Sequence, residues 1–442
     1  MVTRRISQDP VLGRVAANSA WLLGSNGVVV AASFAQGIIL ARALGASRYG
    51  VLALVIGLVA VVQQLLDSRI WEAAIKFVVE FRTKGDPVGA AAVVKLCYLV
   101  DAVVGVAAGA VLIWTADWTA RLFVGGEGAG DAIRMYAVST VVAIPVATST
   151  ALLRVANRFR WLAYQSAAEM VVRLAAVAAV VVVVGARIVP VLWAYLFAGA
   201  VSATVLATLA AAASRQLGLA RWADAPLHAL RGDLKRILGF VAYSNLSGTS
   251  RLVTARADVL VLGLFAGTRS VGLYRLARSV SDPLAGLFNP IYQAVYPEMS
   301  RLVHERRFEL ARRLSEQMKR MIATLVIPAC IVVTLTAGWV VPWVFGAGFS
   351  GAVPLVRIMV WQLVWTPYVW LPGLLLAMGR ARVVAAVNGL DALDYLLLLF
   401  LLVPAFGATG AAVATLLRFV AWTGTAVVLD RRVGREMELM AA

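Results

Sequence analysis

Fifteen ionisable side chains fall far from the ends of long apolar runs in this 442-residue chain: Lys95, Arg173, Arg251, Arg256, Arg275, Arg278, Arg357 and Arg418 against Asp67, Asp101, Glu169, Asp258, Asp282, Asp391 and Asp394. If those runs cross a bilayer, each such arginine costs roughly 2.5–3.5 kcal/mol on insertion scales, so it must pair, face a wet cavity or hold a ligand. Glu169 and Arg173 are four apart, a spacing that suits an ion pair on one helix. Asp391 and Asp394 share a helical face, and Arg418 lies at similar depth on the next run. These read equally as internal bridges or as functional or coupling charges; Lys95 with Asp101 is a vaguer pair. Protonation of Asp258 or Glu169 is a candidate coupling step.

The adjacent runs 238–262 and 270–296 differ from the others, because four arginines there meet only Asp258 and Asp282. Arg251 and Asp258, seven apart, share one helical face; Arg275, Arg278 and Asp282 follow three-four spacing and share another. On neighbouring antiparallel helices those faces would join into one cationic wall. A guanidinium keeps its charge at any accessible pH and its fork matches phosphate oxygens, which suits a pyrophosphate. Purely structural pairing is the competing account.

Little else in the chain could do chemistry. It has no GxxxxGK[ST] loop and no usable cluster of His, Cys or Ser, so no enzymatic activity, cofactor or metal is expected. Energy for any transport would have to come from a gradient or the membrane potential. Cys97 and Cys330 sit in apolar runs, as small buried hydrophobes do, and His228 and His304 lie in hydrophilic segments. Gly125, Gly126 and Gly128 read as a flexible turn.

The elements that must carry these charges are membrane spans. Hydrophobic residues make up 61% of the chain and charged ones 14%, too little polar surface to coat a soluble globule of this size. A spanning helix needs roughly 20 apolar residues. Twelve segments qualify, near 15–43, 50–68, 90–114, 132–153, 161–184, 188–213, 238–262, 270–296, 320–346, 352–378, 383–403 and 408–428. The first is too long for a signal-peptide core and is expected to remain as a helix. Residues 214–237 form the longest hydrophilic break between spans, giving an N-terminal six-helix lobe at 1–213, a cytoplasmic linker, and a C-terminal lobe at 238–442. Residues 299–321 space apolar side chains among charges as an interfacial amphipathic helix does. Pro145, Pro283, Pro290, Pro328, Pro367 and Pro372 fall within spans and predict kinks.

A net charge of +18 raises nucleic acid as a partner, but the basic residues sort by loop. One side holds Arg4, Arg5 and Arg14, then 69–84, 154–160, 215–236, 301–320, Arg380 with Arg382, and 431–435. The other holds Arg42, Arg48, Arg121, Arg134, Arg187 and Arg269. By the positive-inside rule both termini are cytoplasmic, and no nucleic acid is needed to explain the charge.

The two halves repeat. Leu44–Leu54 (LGASRYGVLAL) returns as Ala266–Leu276 (AGTRSVGLYRL), with Gly45 and Gly50 on Gly267 and Gly272 at an offset of 222. The same offset carries Phe123 to Phe345, Arg158 to Arg380, Arg160 to Arg382, and Glu169 to Asp391. Six crossings return the chain to its starting side, so the copies are parallel repeats, an arrangement that in transporters puts the substrate where the halves meet. The positions equivalent to Arg251, Arg256, Arg275 and Arg278 are Val29, Phe34, Ala53 and Ile56, so the cationic site belongs to the second copy alone.

The stretches ARALGASRYGVLAL (Ala41–Leu54), ADVLVLGLFAGTRSVGLYRLA (Ala257–Ala277) and, more weakly, ANRFR (Ala156–Arg160) make the chain resemble the polysaccharide flippase branch of the multidrug/oligosaccharidyl-lipid/polysaccharide exporter superfamily. The resemblance spans nearly the whole chain, on packing and turn signatures that speak to fold more than to cargo. It implies an all-α polytopic membrane protein with two six-helix lobes around a central cavity, moving polyprenyl-pyrophosphate-linked oligosaccharide between leaflets of a bacterial-type inner membrane by alternating access. Polysaccharide polymerase and glycosyltransferases are implied as further partners. The family's cavity arginines correspond only by helix and depth to Arg251, Arg256, Arg275 and Arg278. The related lipid II flippases carry arginines in the first span, where this chain offers Asn18, Ser25, Asn26 and Gln36, and have two further C-terminal helices. A multidrug antiporter would want an acidic or aromatic cavity, and a membrane glycosyltransferase a catalytic group and a large external loop.

Overall fold

The computed structural model describes residues 10–66, 70–125, 128–219, 221–286, 301–302, 305, 307–368, 371–378 and 380–441, except the side chains of 10–23, 66, 242–255, 286, 308, 311, 373, 376–377, 381 and 436–441. Asp67, Arg69, Pro290 and His304 lie outside the described residues.

In hydrocarbon every backbone N–H and C=O must be satisfied within its own segment, and this chain answers with helices. Three of them are long and fold back at one glycine: α1 (Pro10–Leu66) at Gly45, α8 (Leu234–Gly286) at Gly267 and α12 (Ala381–Ala441) at Gly407. Gly45 and Gly267 adopt nearly identical dihedrals (φ 70°, ψ 170° and φ 74°, ψ 171°), a left-handed conformation open to glycine at little cost. The repeat seen in the sequence is therefore a repeat of turn geometry. Among the described residues, nine helical stretches are long and apolar enough to cross a membrane. This is fewer than the twelve segments because a one-residue turn leaves no loop between two spans; each folded helix holds a pair of them.

The remaining spans are α3 (Pro87–Phe123), α4 (Ala129–Val142) with α5 (Ile144–Val155), α6 (Phe159–Val183), α7 (Ile188–Gln216) and α9 (Phe308–Phe345). Pro145 breaks the α4–α5 span where the sequence placed it. The segment read as 352–378 is the least regular. It runs as 3₁₀ turns over Ala347–Ala352, α10 (Val353–Met359), more 3₁₀ over Val360–Tyr368 and α11 (Leu371–Ala377). Pro367 and Pro372 remove the donors a continuous α-helix would need there.

The chain packs as two compact units, Met1–Ala43 with Val55–Leu252 and Leu44–Leu54 with Val253–Ala442. In the first, α2 (Ile70–Thr83) buries Ile70, Phe77 and Phe81 against Val93, Cys97 and Leu152. Leu219, Leu230 and Ile237 join that core, so the hydrophilic break after α7 is packed rather than loose. It forms two 3₁₀ turns, Trp222–Asp224 and Leu227–Leu230, with Trp222 stacked on Tyr98 at 4.6 Å and Arg236 bonded to Glu80 at 2.8 Å.

In the second unit α9 runs unbroken through residues 308–321. These extend a spanning helix rather than form a separate interfacial one. The apolar residues of that stretch have protein to cover: Leu302 and Leu314 pack with Leu371, Ala426 and Val433.

The segment 44–54 belongs to the second unit because of how closely it approaches α8. A Cβ on Gly50 would lie 1.7 Å from the Thr268 carbonyl oxygen, and one on Gly272 would lie 1.9 Å from that of Ala46. Under the 222-residue offset these are one contact seen from each copy. Only two glycines permit backbones to cross at that range.

Large apolar side chains stand outward along the spans, among them Val182, Val183, Leu335 and Leu397. Trp114 (86% exposed) near the end of α3 and Trp339 (70%) near the end of α9 place indole rings where a bilayer interface would hold them. The protein is a multi-pass membrane protein.

Candidate substrate site

The turn at Gly267 brings the two arms of α8 back along each other and so sets Asp258 beside Arg278. Arg278 donates from Nη1 to Asp258 Oδ2 at 2.6 Å and from Nε to Asp282 Oδ2 at 2.9 Å. Asp258, 1% exposed, also accepts from the Tyr274 hydroxyl at 2.7 Å and from the Val259 backbone N–H at 2.8 Å. Thr415 on α12 links the Tyr274 and Tyr395 hydroxyls at 2.9 and 3.1 Å. A buried carboxylate is tolerable only with its bonds filled in this way.

This divides the expected cationic wall. The spacing grouped Arg275 with Arg278, but the structure commits Arg278 to two carboxylates. Arg275 instead donates to the Tyr49 hydroxyl. Arg256 lies within electrostatic reach of Arg275, Arg278, Asp258 and Asp282. Among the described residues neither Arg256 nor Arg275 forms an ion pair, and both are partly exposed. The side chain of Arg251 lies outside the described residues, although its backbone continues α8. Arg256, Arg275 and Arg278 against Asp258 and Asp282 leave a surplus positive charge within these spans.

Elsewhere the charges meet varied partners. Arg418 grips Asp391 with both edges of its fork, Nε to Oδ1 at 2.9 Å and Nη2 to Oδ2 at 2.8 Å, over the rings of Tyr395 and Phe419 at 4.8 Å each. Asp394, one turn along, makes no ion pair among the described residues. Arg357 donates to the Thr334 carbonyl at 3.0 Å. Lys95 and Asp101 do not meet. Lys95 caps the Ala225 carbonyl at 3.1 Å, and Asp101 accepts from Thr148 Oγ1 at 2.6 Å.

The first unit has its own polar cluster. Arg173 bonds Glu169 and lies over the Tyr195 ring at 5.5 Å. Glu169 Oε2 also accepts from Ser202 at 2.8 Å and from Gln165 at 3.2 Å, and Gln36 donates to the Tyr195 hydroxyl. Glu169 and Asp391, equivalent under the repeat, each hold an arginine.

Sequence reasoning missed Tyr274, Tyr395, Thr415, Tyr195, Gln165 and Ser202. For Tyr274, Tyr395, Thr415 and Gln165 the signal was a neutral polar residue one helical turn from a charge, as Tyr274 precedes Arg278 by four and Gln165 precedes Glu169 by four; Tyr195 and Ser202 have no charge within a turn. Among the described residues no group of three or more His, Cys, Asp or Glu could hold a metal ion.

An inward-facing multidrug resistance transporter of the multidrug/oligosaccharidyl-lipid/polysaccharide superfamily superposes with a TM-score of 0.76 at 14% identity, over 93% of this chain and 96% of that one. The lipid II flippase MurJ superposes at 0.73 and 12% identity, over 95% and 90%. Both likenesses concern the fold.

Residues 39–354 match the family described as polysaccharide biosynthesis protein, and the chain belongs to that family. Two relatives are similar in sequence. A protein described as the flippase AglR of Haloferax volcanii is 26% identical over 197 residues, 41% of this chain and 39% of that protein. A protein described as an O-antigen transporter of Escherichia coli is 38% identical over 74 residues, 17% of each. The chain thus aligns with well under half the length of either.

Proposed function

We propose that the protein is a flippase that carries a polyprenyl-pyrophosphate-linked oligosaccharide from the inner to the outer leaflet of a bacterial-type cytoplasmic membrane. The observation that carries this reading is the pair Arg256 and Arg275. Two guanidinium groups set within α8, with no carboxylate paired to them among the described residues, are costly in a bilayer unless an anion completes them. Phosphate oxygens fit the fork, and a pyrophosphate has enough of them for two. The family and the two named relatives support a lipid-linked sugar as the cargo. A cationic drug would be repelled by the same residues, which disfavours multidrug export.

Movement of the anion outward is favoured by an inside-negative potential, by about 2.3 kcal/mol per charge per 100 mV. Alternating access coupled to that potential requires no catalytic residue in this chain. The test is a strain lacking the gene, in which lipid-linked oligosaccharide should accumulate in the inner leaflet. Arg256→Ala and Arg275→Ala, produced at wild-type levels, should fail to relieve the accumulation. Full rescue by both would remove the pyrophosphate site, and a normal leaflet distribution in the deletion strain would remove the flippase reading.

A further inference from the structure

The polar cluster of the first unit satisfies its charges but not all of its hydrogen bonds. Glu169 and Arg173 cancel, so the cluster is neutral as a whole. Two buried atoms are nevertheless without partners among the described residues: the acceptor Gln36 Oε1 and the donor Arg173 Nε. Gln36 itself is 5% exposed. Both atoms belong to side chains that flank Tyr195, Gln36 at its hydroxyl and Arg173 over its ring. A buried polar group left unmade costs about 1–3 kcal/mol, and here two of opposite kind stand around one aromatic ring.

We infer that this cluster, formed by Gln36, Gln165, Glu169, Arg173, Tyr195 and Ser202, is a subsite for the sugar hydroxyls of the cargo, separate from the arginines of the second unit. The inference rests on the flippase reading above. An anion would satisfy only the donor and be repelled by Glu169. A metal cation would satisfy only the acceptor and be repelled by Arg173. A hydroxyl both donates and accepts, so a neutral polyol is the ligand class that completes both atoms. Its entry is through Glu169 and Arg173, whose side chains are each 27% exposed while Gln165 and Ser202 behind them are buried. One hydroxyl of a polyol would accept from Arg173 Nε and another would donate to Gln36 Oε1.

The test is the ratio of two dissociation constants, measured on the full chain in lipid nanodiscs. One probe is undecaprenyl pyrophosphate; the other is the lipid-linked oligosaccharide fraction extracted from the cells that encode the protein. The wild type should bind the sugar-bearing lipid about five-fold more tightly, the worth of one or two neutral hydrogen bonds. Gln36→Leu should bring the ratio towards one. Arg275→Ala should weaken both probes while preserving the ratio. Tyr195→Phe, which removes only the hydroxyl that holds Gln36, should also lower the ratio and guards against a Gln36→Leu chain that fails to fold. A wild-type ratio of one would mean that water alone occupies the cluster, and so would a ratio unchanged in either folded variant; both outcomes overturn the subsite. Absence of wild-type binding to bare undecaprenyl pyrophosphate would instead overturn the flippase reading, a separable result.

Discussion

Arg278 and Arg275 are three residues apart on one helix and their fates differ. Arg278 neutralises Asp258, which sits at 1% exposure with every oxygen occupied. Removing one partner of such a pair leaves a charge stranded, at a cost of about 3–5 kcal/mol. Arg278→Ala should therefore lower the melting temperature in detergent sharply, whereas Arg275→Ala should cost only about 1 kcal/mol for the bond to Tyr49 and show its effect in substrate binding. The Asp391–Arg418 pair offers a complementary test. Either single change to leucine should destabilise, and the double change should recover most of the loss, because two matched charges have been withdrawn together. A double variant no more stable than the singles would point to a role beyond pairing. Three-four spacing identified the charged face but could not say which arginine meets Asp258. That depends on the angle at which Gly267 returns the chain, a property of one residue whose dihedrals the spacing does not carry.

At the scale of elements the spans were legible because lipid permits few alternatives. Apolar runs of the right length must be helices, and their prolines mark where regularity fails, as at Pro145 and Pro367. What the pattern could not show was that three pairs of spans are joined through a single non-helical glycine each, since one glycine among many reads as a helix residue. The repeat held the missing clue: Gly45 and Gly267 recur in register with Gly50 and Gly272. Their close approach makes a symmetric prediction. Gly50→Ala and Gly272→Ala should destabilise by similar amounts, each forcing backbones apart at the same crossing. Gly389→Ala, a helical position with no atom within 4 Å of the added carbon, should instead stabilise slightly, by about 0.5–1 kcal/mol. Thermal unfolding of the three variants side by side would show whether the crossing behaves as one symmetric contact.

For the whole molecule, charge asymmetry rather than fold sets direction. The basic loops predict cytoplasmic termini, so a cysteine at Gly218, between α7 and α8, should be shielded from a membrane-impermeant maleimide in intact cells, while one at Gly185, between α6 and α7, should react. The native Cys97 and Cys330 are buried and should stay silent in that assay. Reversed labelling would invert the topology and, with it, the leaflet from which cargo is taken. The all-helical, multi-span architecture was visible from composition and repeat together. The polar cluster of the first unit was visible only as its ion pair, Glu169 with Arg173, because Gln36, Gln165, Tyr195 and Ser202 are neutral residues scattered over three helices.

The glycine crossing also bears on how the chain is made. Residues 44–54 leave the ribosome early, yet the surface they pack on begins at residue 253, more than 190 residues later. Until that surface is in the membrane, the backbone around Ala46 and Gly50 lacks the neighbour that the missing Cβ of Gly50 admits. The first half of the protein is thus inserted while still incomplete, holding a place for the second. Two halves expressed from separate messages should consequently need each other's presence in the membrane to escape degradation, and a chain arrested before α8 should be a marked target for quality-control proteolysis.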